Sequence, residues 1–430
     1  TFTGTFNGFD HKIYNIVIGS RISLNANLYG LVCFNYGTIK SLTISEYILN
    51  IVINNQYSTR ASLISSINYG KILNCNVSEG LIKSSVNLNI KDKNHYSNIA
   101  FGGISGINFE KAVIDNCVTN IKIDSSASIT NETNSKHTDF AVFIGGICGQ
   151  NDANGIIKNT FNELDCTINN VSNCPKGKSN ITVYFGGAIG NNNGDISYAY
   201  TKCNASIIGA RKQNIYNNQV HNFVGGLVGH NEGKIRENIC IYDLFVSEGY
   251  GMTGGLVGRN FIENNIVGII ENCYCKGNIE VDLNTIALYH NIGGFVGYNA
   301  GKIANSYCDT ELNVDCDYSS CGLFTGGVDQ TGITLNCIAT GIENISNKVL
   351  YKSLFSGATA GLITKGIILD NAKIILDNND ITYTMQNDEI VSKELIFTKN
   401  FLIDYLYWDE NIWNIDEINY PILKWESKLK

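Results

Sequence analysis

Six histidines, His11, His95, His137, His221, His230 and His290, are the first place to look for metal or acid–base chemistry in this 430-residue chain. A zinc peptidase needs two histidines one helical turn apart with a glutamate between them, to hold the metal and activate water. No H-E-x-x-H occurs, and His230 and His290, beside glycine clusters, read as solvated turn residues. The densest carboxylates are D-T-E-L-N-V-D-C-D, with Asp309, Glu311, Asp315 and Asp317, and W-D-E-N-I-W-N-I-D-E near the end. Such acids could hold calcium or serve as a general acid and base. Asp315 with Asp317 is the candidate calcium pair. Nothing in the sequence gathers the acids at one place, so they read as solvated loops. No catalytic residue and no cofactor is assigned, and the expectation is a chain that is not an enzyme. A nucleophile elbow, G-x-S-x-G, is absent, and so is the Lys-Ser/Thr of a phosphate loop.

Fourteen cysteines leave two readings open. Cys166 with Cys174 and Cys316 with Cys321 are the disulfide candidates, as expected in an oxidising environment. Cys75, Cys117 and Cys273, and again Cys240, Cys275 and Cys308, recur at equivalent places and suit small buried thiols.

The elements that must position these groups announce themselves through glycine. Six segments share one frame: FGGISGIN, IGGICGQN, FGGAIGNN, VGGLVGHN, TGGLVGRN and IGGFVGYN. Their second glycines are Gly103, Gly146, Gly187, Gly226, Gly255 and Gly294, and they end on Asn108, Asn151, Asn192, Asn231, Asn260 and Asn299. Degenerate copies end on Asn35 and Asn68, which gives steps of 33, 40, 43, 41, 39, 29 and 39 residues between successive asparagines. Periods of this size mark arrays in which each unit buries its apolar face only against its neighbours. A second frame follows, aligned on Ile72, Ile114, Ile157, Ile196, Ile235, Ile270 and Ile303. Three residues further on stands a small side chain, and four further on Val118, Phe161, Tyr200, Ile239, Tyr274 or Tyr307.

Alternation in V-T-N-I-K-I and K-G-N-I-E-V has period two, and the residues are β-branched or aromatic, so the units are strands. Repeated glycine suits positive φ or close backbone approach. Short strands and Gly/Asn turns recurring every 40 or so residues fit coils of a parallel β-solenoid. A β-propeller has a similar period but tolerates the uneven step lengths less well. In a solenoid the framed asparagines would stack as amide ladders. Net charge of −8 and few arginines exclude a nucleic-acid surface, and no run of 18 apolar residues could span a membrane as a helix. A first residue of Thr1 reads as a processed or trimmed segment.

These residues carry a resemblance. GGLVGHNEGKI, GGLVGRN and GGFVGYNAGKIANSYC resemble the GLUG motif, a repeat of bacterial surface proteins that also accompanies some immunoglobulin-A1-protease-type peptidases. The opening FTGTFNGFDHKIYNIVI is similar to the segment that starts such arrays, with Asn7 where aspartate is usual and Phe9-Asp10 in place of a small pair. The closing YWDENIWNIDEINYPILKWE resembles their tryptophan-rich end. The resemblance implies a right-handed parallel β-helix on a secreted or cell-surface protein, with any peptidase chemistry in a separate domain.

The expected organisation is a repeat β-helix over 1–345 and a small C-terminal cap over 346–430. Ser392 and Glu394 mark the start of a short helix. Trp408, Trp413 and Trp425 read as the core of that cap in preference to a sugar-stacking platform. The expected function is a non-enzymatic extracellular structural or adhesive element. Its partners would be a surface glycan, a protein ligand or further copies of itself, contacted through loops around 125–140 and 205–222. The alternatives are a carbohydrate-active lyase or hydrolase on the same scaffold and a subunit of a fibre or viral appendage.

Overall fold

The computed structural model describes the chain apart from residues 20–26, 55–57, 91–94, 132–136, 174–177, 213–217, 248, 264, 284–289, 378, 382–387, 417 and 429–430. Strands dominate, in three long sheets: a first of 23 strands, and a second and third of ten each. One turn of chain shows the plan. Ile156–Asn173 runs through the first sheet, Lys178–Gly186 returns through the second, Ile189–Asn192 forms the third, and Asp195–Lys212 begins the next turn beside the first. Pairing between successive turns is parallel throughout, so the chain winds as a parallel β-solenoid.

The sequence columns are the stacks. Ile72, Ile114, Ile157, Ile196, Ile235, Ile270 and Ile303 lie in continuous register, each at most 1% exposed. Every such side chain taken from water contributes roughly 1.5–3 kcal/mol before the entropy of ordering it is counted. Two residues on, the chain turns sharply, and Asn74, Asn116, Asn159, Asn272, Asn305 and Asn336 hold φ between 51° and 55°. Asparagine tolerates this left-handed region because its short side chain bonds locally. The double glycines serve close approach. A Cβ on Gly226 would lie 2.3 Å from the carbonyl oxygen of Gly255 on the next turn, and one on Gly229 would lie 2.7 Å from the amide nitrogen of Phe185 in the second sheet.

The insertions are strands. Val118–Asn131, Ile156–Asn173 and Asp195–Lys212 pair along almost their whole lengths. They return as His137–Gly145, Lys178–Gly186 and Asn218–Gly225. The segments around 125–140 and 205–222 are therefore mostly a paired arm extending the solenoid, in place of the loops expected; 132–136 and 213–217 lie outside the described residues. The reason is visible in the inward alternation, with Ile123, Ala127 and Ile129 buried on one strand and Cys166 and Ile168 on the next.

Solenoid pairing runs past residue 345. Tyr351–Ser353, Ser356–Thr359 and Leu362–Leu369 complete a further turn, and Asp388–Val391 pairs with Leu362–Leu369. Ser392 then caps a 3-10 turn, Lys393–Phe397, by accepting from the Glu394 amide, and a π-helical turn, Asn400–Tyr405, follows. The remaining chain packs along the outer flank of the first sheet, over Tyr200, Ile239, Tyr274, Tyr307, Ile338 and Ile367. Trp408 and Trp413, each 1% exposed, are its core. Trp408 Nε1 donates to the Asn336 carbonyl at 2.9 Å, and Tyr307 Oη donates to the Pro421 carbonyl at 2.8 Å. Tyr274 Oη donates to the Glu426 carboxylate at 2.9 Å. No described helix is long and apolar enough to cross a membrane.

Candidate ligand seam

The residue just before each framed asparagine points outward. In register these are Gln150, Asn191, His230, Arg259 and Tyr298 on the third sheet. The outward row of the second sheet is Phe143, Tyr184 and Phe223. The two rows touch. His230 meets the edge of Tyr184 with ring centroids 5.8 Å apart, and the Arg259 guanidinium sits 5.5 Å from the Phe223 ring. The outer faces of the two sheets therefore converge, and their glycines let the backbones come close enough to do so. Phe143 stacks on Tyr184 at 4.7 Å, and Phe223 meets Tyr184 at 5.2 Å with its ring tilted, so the seam has an aromatic floor. Towards the C-terminal turns, smaller residues open it into a cavity of about 480 Å³ lined by Asn291, Tyr298, Gly327, Tyr351 and Gly357.

The polar centre of the seam is compact. His230 Nε2 lies 2.7 Å from Glu232 Oε1, with both residues under 10% exposed. Burial holds the imidazole neutral, and the Glu232 contact offsets only part of that. Burial also opposes ionisation of Glu232, but hydrogen bonds from His230 and Glu263 outweigh it and keep its carboxyl low. The same bond with Glu232 raises Glu263. The two carboxyls are thus driven apart, Glu232 towards the charged form and Glu263 towards the protonated one. Arg259 stacks over Phe261 at 3.5 Å. Among the described residues, His230 Nδ1 and Arg259 Nε are buried without a partner. The arrangement offers flat apolar surface, one cation and a carboxyl pair, which suits binding of an extended, partly polar ligand.

His230 and His290 are thus buried side chains and not solvated turns. His290 Nε2 lies 3.0 Å from Thr253 Oγ1, and burial lowers its pKa to about 3. They turn inward or into the seam because the glycine frames are stacked interior corners. The signal for the seam was present in the sequence: one variable position inside an otherwise fixed G-x-N ending.

The predicted acids do not converge. Asp309 pairs with Lys276 at 2.8 Å and Asp315 with Lys348 at 3.1 Å, and the Lys348 contact holds the Asp315 carboxyl below its ordinary range. Asp315 stands in register with Asp282. No group of three or more metal-ligating side chains forms among the described residues. Cys316 and Cys321 are separate thiols, so the expected bridge is not formed. Cys316 Sγ is directed at the Asp317 carbonyl at 3.5 Å, whereas Cys321 lies in the second sheet beside Ile292. Cys166 is a free thiol in the interior; Cys174 lies outside the described residues. Cys240, Cys275 and Cys308 stack in one column, all free. Parallel side chains on adjacent strands, roughly 4.8 Å apart, point the same way and do not readily turn towards one another.

Of the thirteen described thiols only Cys33 is exposed. Burial pushes Cys148, Cys273 and Cys337 up to about 12 and Cys166 well above the ordinary thiol value. A chromogenic disulfide reagent should therefore label Cys33 quickly in the native protein and the twelve buried thiols only after denaturation. The measurement is the labelling time course, and Cys33→Ser should remove one fast equivalent.

No protein-family model and no curated protein matches the chain. A solved structure described as a putative immunoglobulin A1 protease from Bacteroides ovatus is similar at 14% identity and a TM-score of 0.34, covering 71% of this chain and 92% of that one.

Proposed function

We propose that this chain is a non-enzymatic extracellular β-solenoid of the GLUG-repeat type, right-handed, that acts as an adhesive element by holding a surface polymer along the seam between its second and third sheets. The observation that carries this reading is the seam itself. It is an aromatic floor from Phe143 to Phe223, flanked by Arg259 and the His230–Glu232–Glu263 group, and it runs along a rigid stack. The right-handed sense follows the strong preference of crossovers between parallel strands of one sheet. Extracellular placement rests on the glycine-frame resemblance.

The test is retention of the purified chain on immobilised cell-surface polysaccharide and on matrix protein. Combined Tyr184→Ala and Arg259→Ala changes should weaken retention about tenfold or more, as loss of an aromatic and an arginine anchor does elsewhere. Unchanged retention would remove the seam from the reading. Deletion of 132–136 and 213–217 is the companion variant; loss there alone would move recognition to the arm.

A second reading, a carbohydrate-active enzyme, has one observation in its favour. Two adjacent carboxyls with opposite protonation tendencies are what general acid–base chemistry uses. Release of reducing or unsaturated ends from glycans, abolished by Glu232→Gln, would support it.

A further inference from the structure

The C-terminal chain crosses the flank of the first sheet and leaves beneath its end a cavity of about 670 Å³. Its walls include Asn116, Asn159, Phe161, Tyr198, Trp425 and Lys428. This lies on a different sheet from the seam.

The third tryptophan behaves unlike the other two. Trp408 and Trp413 are buried in the packed tail, whereas Trp425 is only half-buried and stands edge-on to Tyr198 at 6.1 Å between centroids. Its Nε1–H is shielded from solvent yet has no partner among the described residues, although an indole N–H in such a place normally finds one. Thr160, which also borders the cavity, has a buried hydroxyl in the same condition. Phe161 is held face to face with Tyr200 at 5.0 Å, so its ring is fixed. Asn116 and Asn159 are fixed as well. Their backbones sit at φ 53° and 52°, and each amide already donates once, Asn116 to Asn74 and Asn159 to Asp115, both at 2.8 Å.

The site therefore combines rigid aromatic faces with anchored amides and an unused donor. A purely apolar guest would cover the faces but leave the buried donor unanswered. An anionic guest gains little, because the charges around the walls cancel, Asp115 against Lys158 at 3.3 Å and Glu237 against Lys428. A sugar ring has C–H faces for the aromatic walls and hydroxyls for the amides and the indole. We propose that this cavity binds a neutral saccharide, with Trp425 and Phe161 as the stacking surfaces.

The test is tryptophan fluorescence of the whole chain during titration with cellotetraose, maltotetraose and the tetramer of N-acetylglucosamine, with tetragalacturonate as the charged comparison. A saturable change with at least one neutral oligosaccharide is expected. Trp425→Phe should abolish that change while emission from Trp408 and Trp413 still reports the folded tail. Phe161→Ala should weaken binding about fivefold, the scale of one aromatic contact. Should that variant not fold, calorimetric titration of Trp425→Ala supplies the same comparison. The Tyr184→Ala, Arg259→Ala variant should bind as the parent does. No response to any neutral oligosaccharide, a response to tetragalacturonate alone, or a full response retained in Trp425→Phe would each overturn the assignment.

Discussion

Replacing Asn192 with alanine should destabilise the fold by roughly 2–6 kcal/mol, since two buried groups each lose a partner at about 1–3 kcal/mol. The framed asparagines form a continuous ladder. Nδ2 of Asn35, Asn68, Asn108, Asn151, Asn192, Asn231 and Asn260 each donates to Oδ1 of the next, at 2.7–2.9 Å. The second N–H of each amide is used as well; Asn192 donates to the Gly194 carbonyl at 3.1 Å and Asn231 to that of Gly233 at 3.2 Å. Asn192 is fully buried. Alanine there strands the Asn151 donor and the Asn231 acceptor together, where water does not reach. Aspartate should be worse at neutral pH, because it sets a carboxylate oxygen against Asn231 Oδ1. The control is Asn120, on an extended strand, whose bond to Glu163 is exposed; alanine there removes a contact that water can replace. Urea midpoints of the three variants against the parent are the measurement, and equal midpoints for the Asn192 and Asn120 variants would refute the ladder's role.

Replacing Glu343 with leucine should stabilise the protein by about 2–4 kcal/mol at neutral pH, the scale of an uncompensated buried polar group. Leu49, Ile82, Ile123, Cys166, Ala205, Leu244, Ile279 and Leu312 stack in one inward column, and Glu343 follows them, with Ile374 after it. Glu343 is completely buried, and neither carboxyl oxygen has a partner among the described residues. Burial raises its pKa well above the ordinary value, so it stays protonated in the fold at a pH where the unfolded chain has released the proton. The unfolded state then binds fewer protons, and stability falls as pH rises. That loss is absent below the unfolded pKa of about 4.3, begins as pH passes it, and continues to the raised folded value. The leucine variant should lack this slope. Its advantage over the parent should shrink towards pH 4, as read from denaturation midpoints across pH 4–8.

The interior of the fold was legible because period and chemistry agree at each turn. Aligning the Ile72 to Ile303 positions, or the asparagines from Asn35 to Asn299, needs only spacing, and both columns became stacks. What depends on the angle between sheets was not legible. His230 and Arg259 occupy equivalent frame positions, but only the convergence of two outer faces brings Tyr184 and Phe223 against them. The alternation of Ile123, Ala127 and Ile129 was readable, yet strand continuation through the insertions depended on matching partners in neighbouring turns. The tail posed a different difficulty. Trp408 and Trp413 require burial, but nothing local specifies which surface supplies it, and a flank row spaced roughly one strand apart proved to be the answer. Glu343 breaks its column without any sequence neighbour to account for it, and its carboxyl has no partner among the described residues.

An unbroken stack in which each turn touches only the turns beside it unzips from an end, one rung at a time. The tail changes the mechanics of this one. Running back from Lys365, which stacks with Tyr405 and Tyr407, to Tyr198 beneath Trp425, it lies across the rungs as a splint lies across a fracture. Pulling on the C-terminal end must first peel that splint away, and while it holds, the rungs from Tyr200 to Ile367 share the load. Among the described residues the turns before Phe161 carry no such brace, so under tension the molecule should yield as two bodies: a zipper at the N-terminal side and a single block behind it.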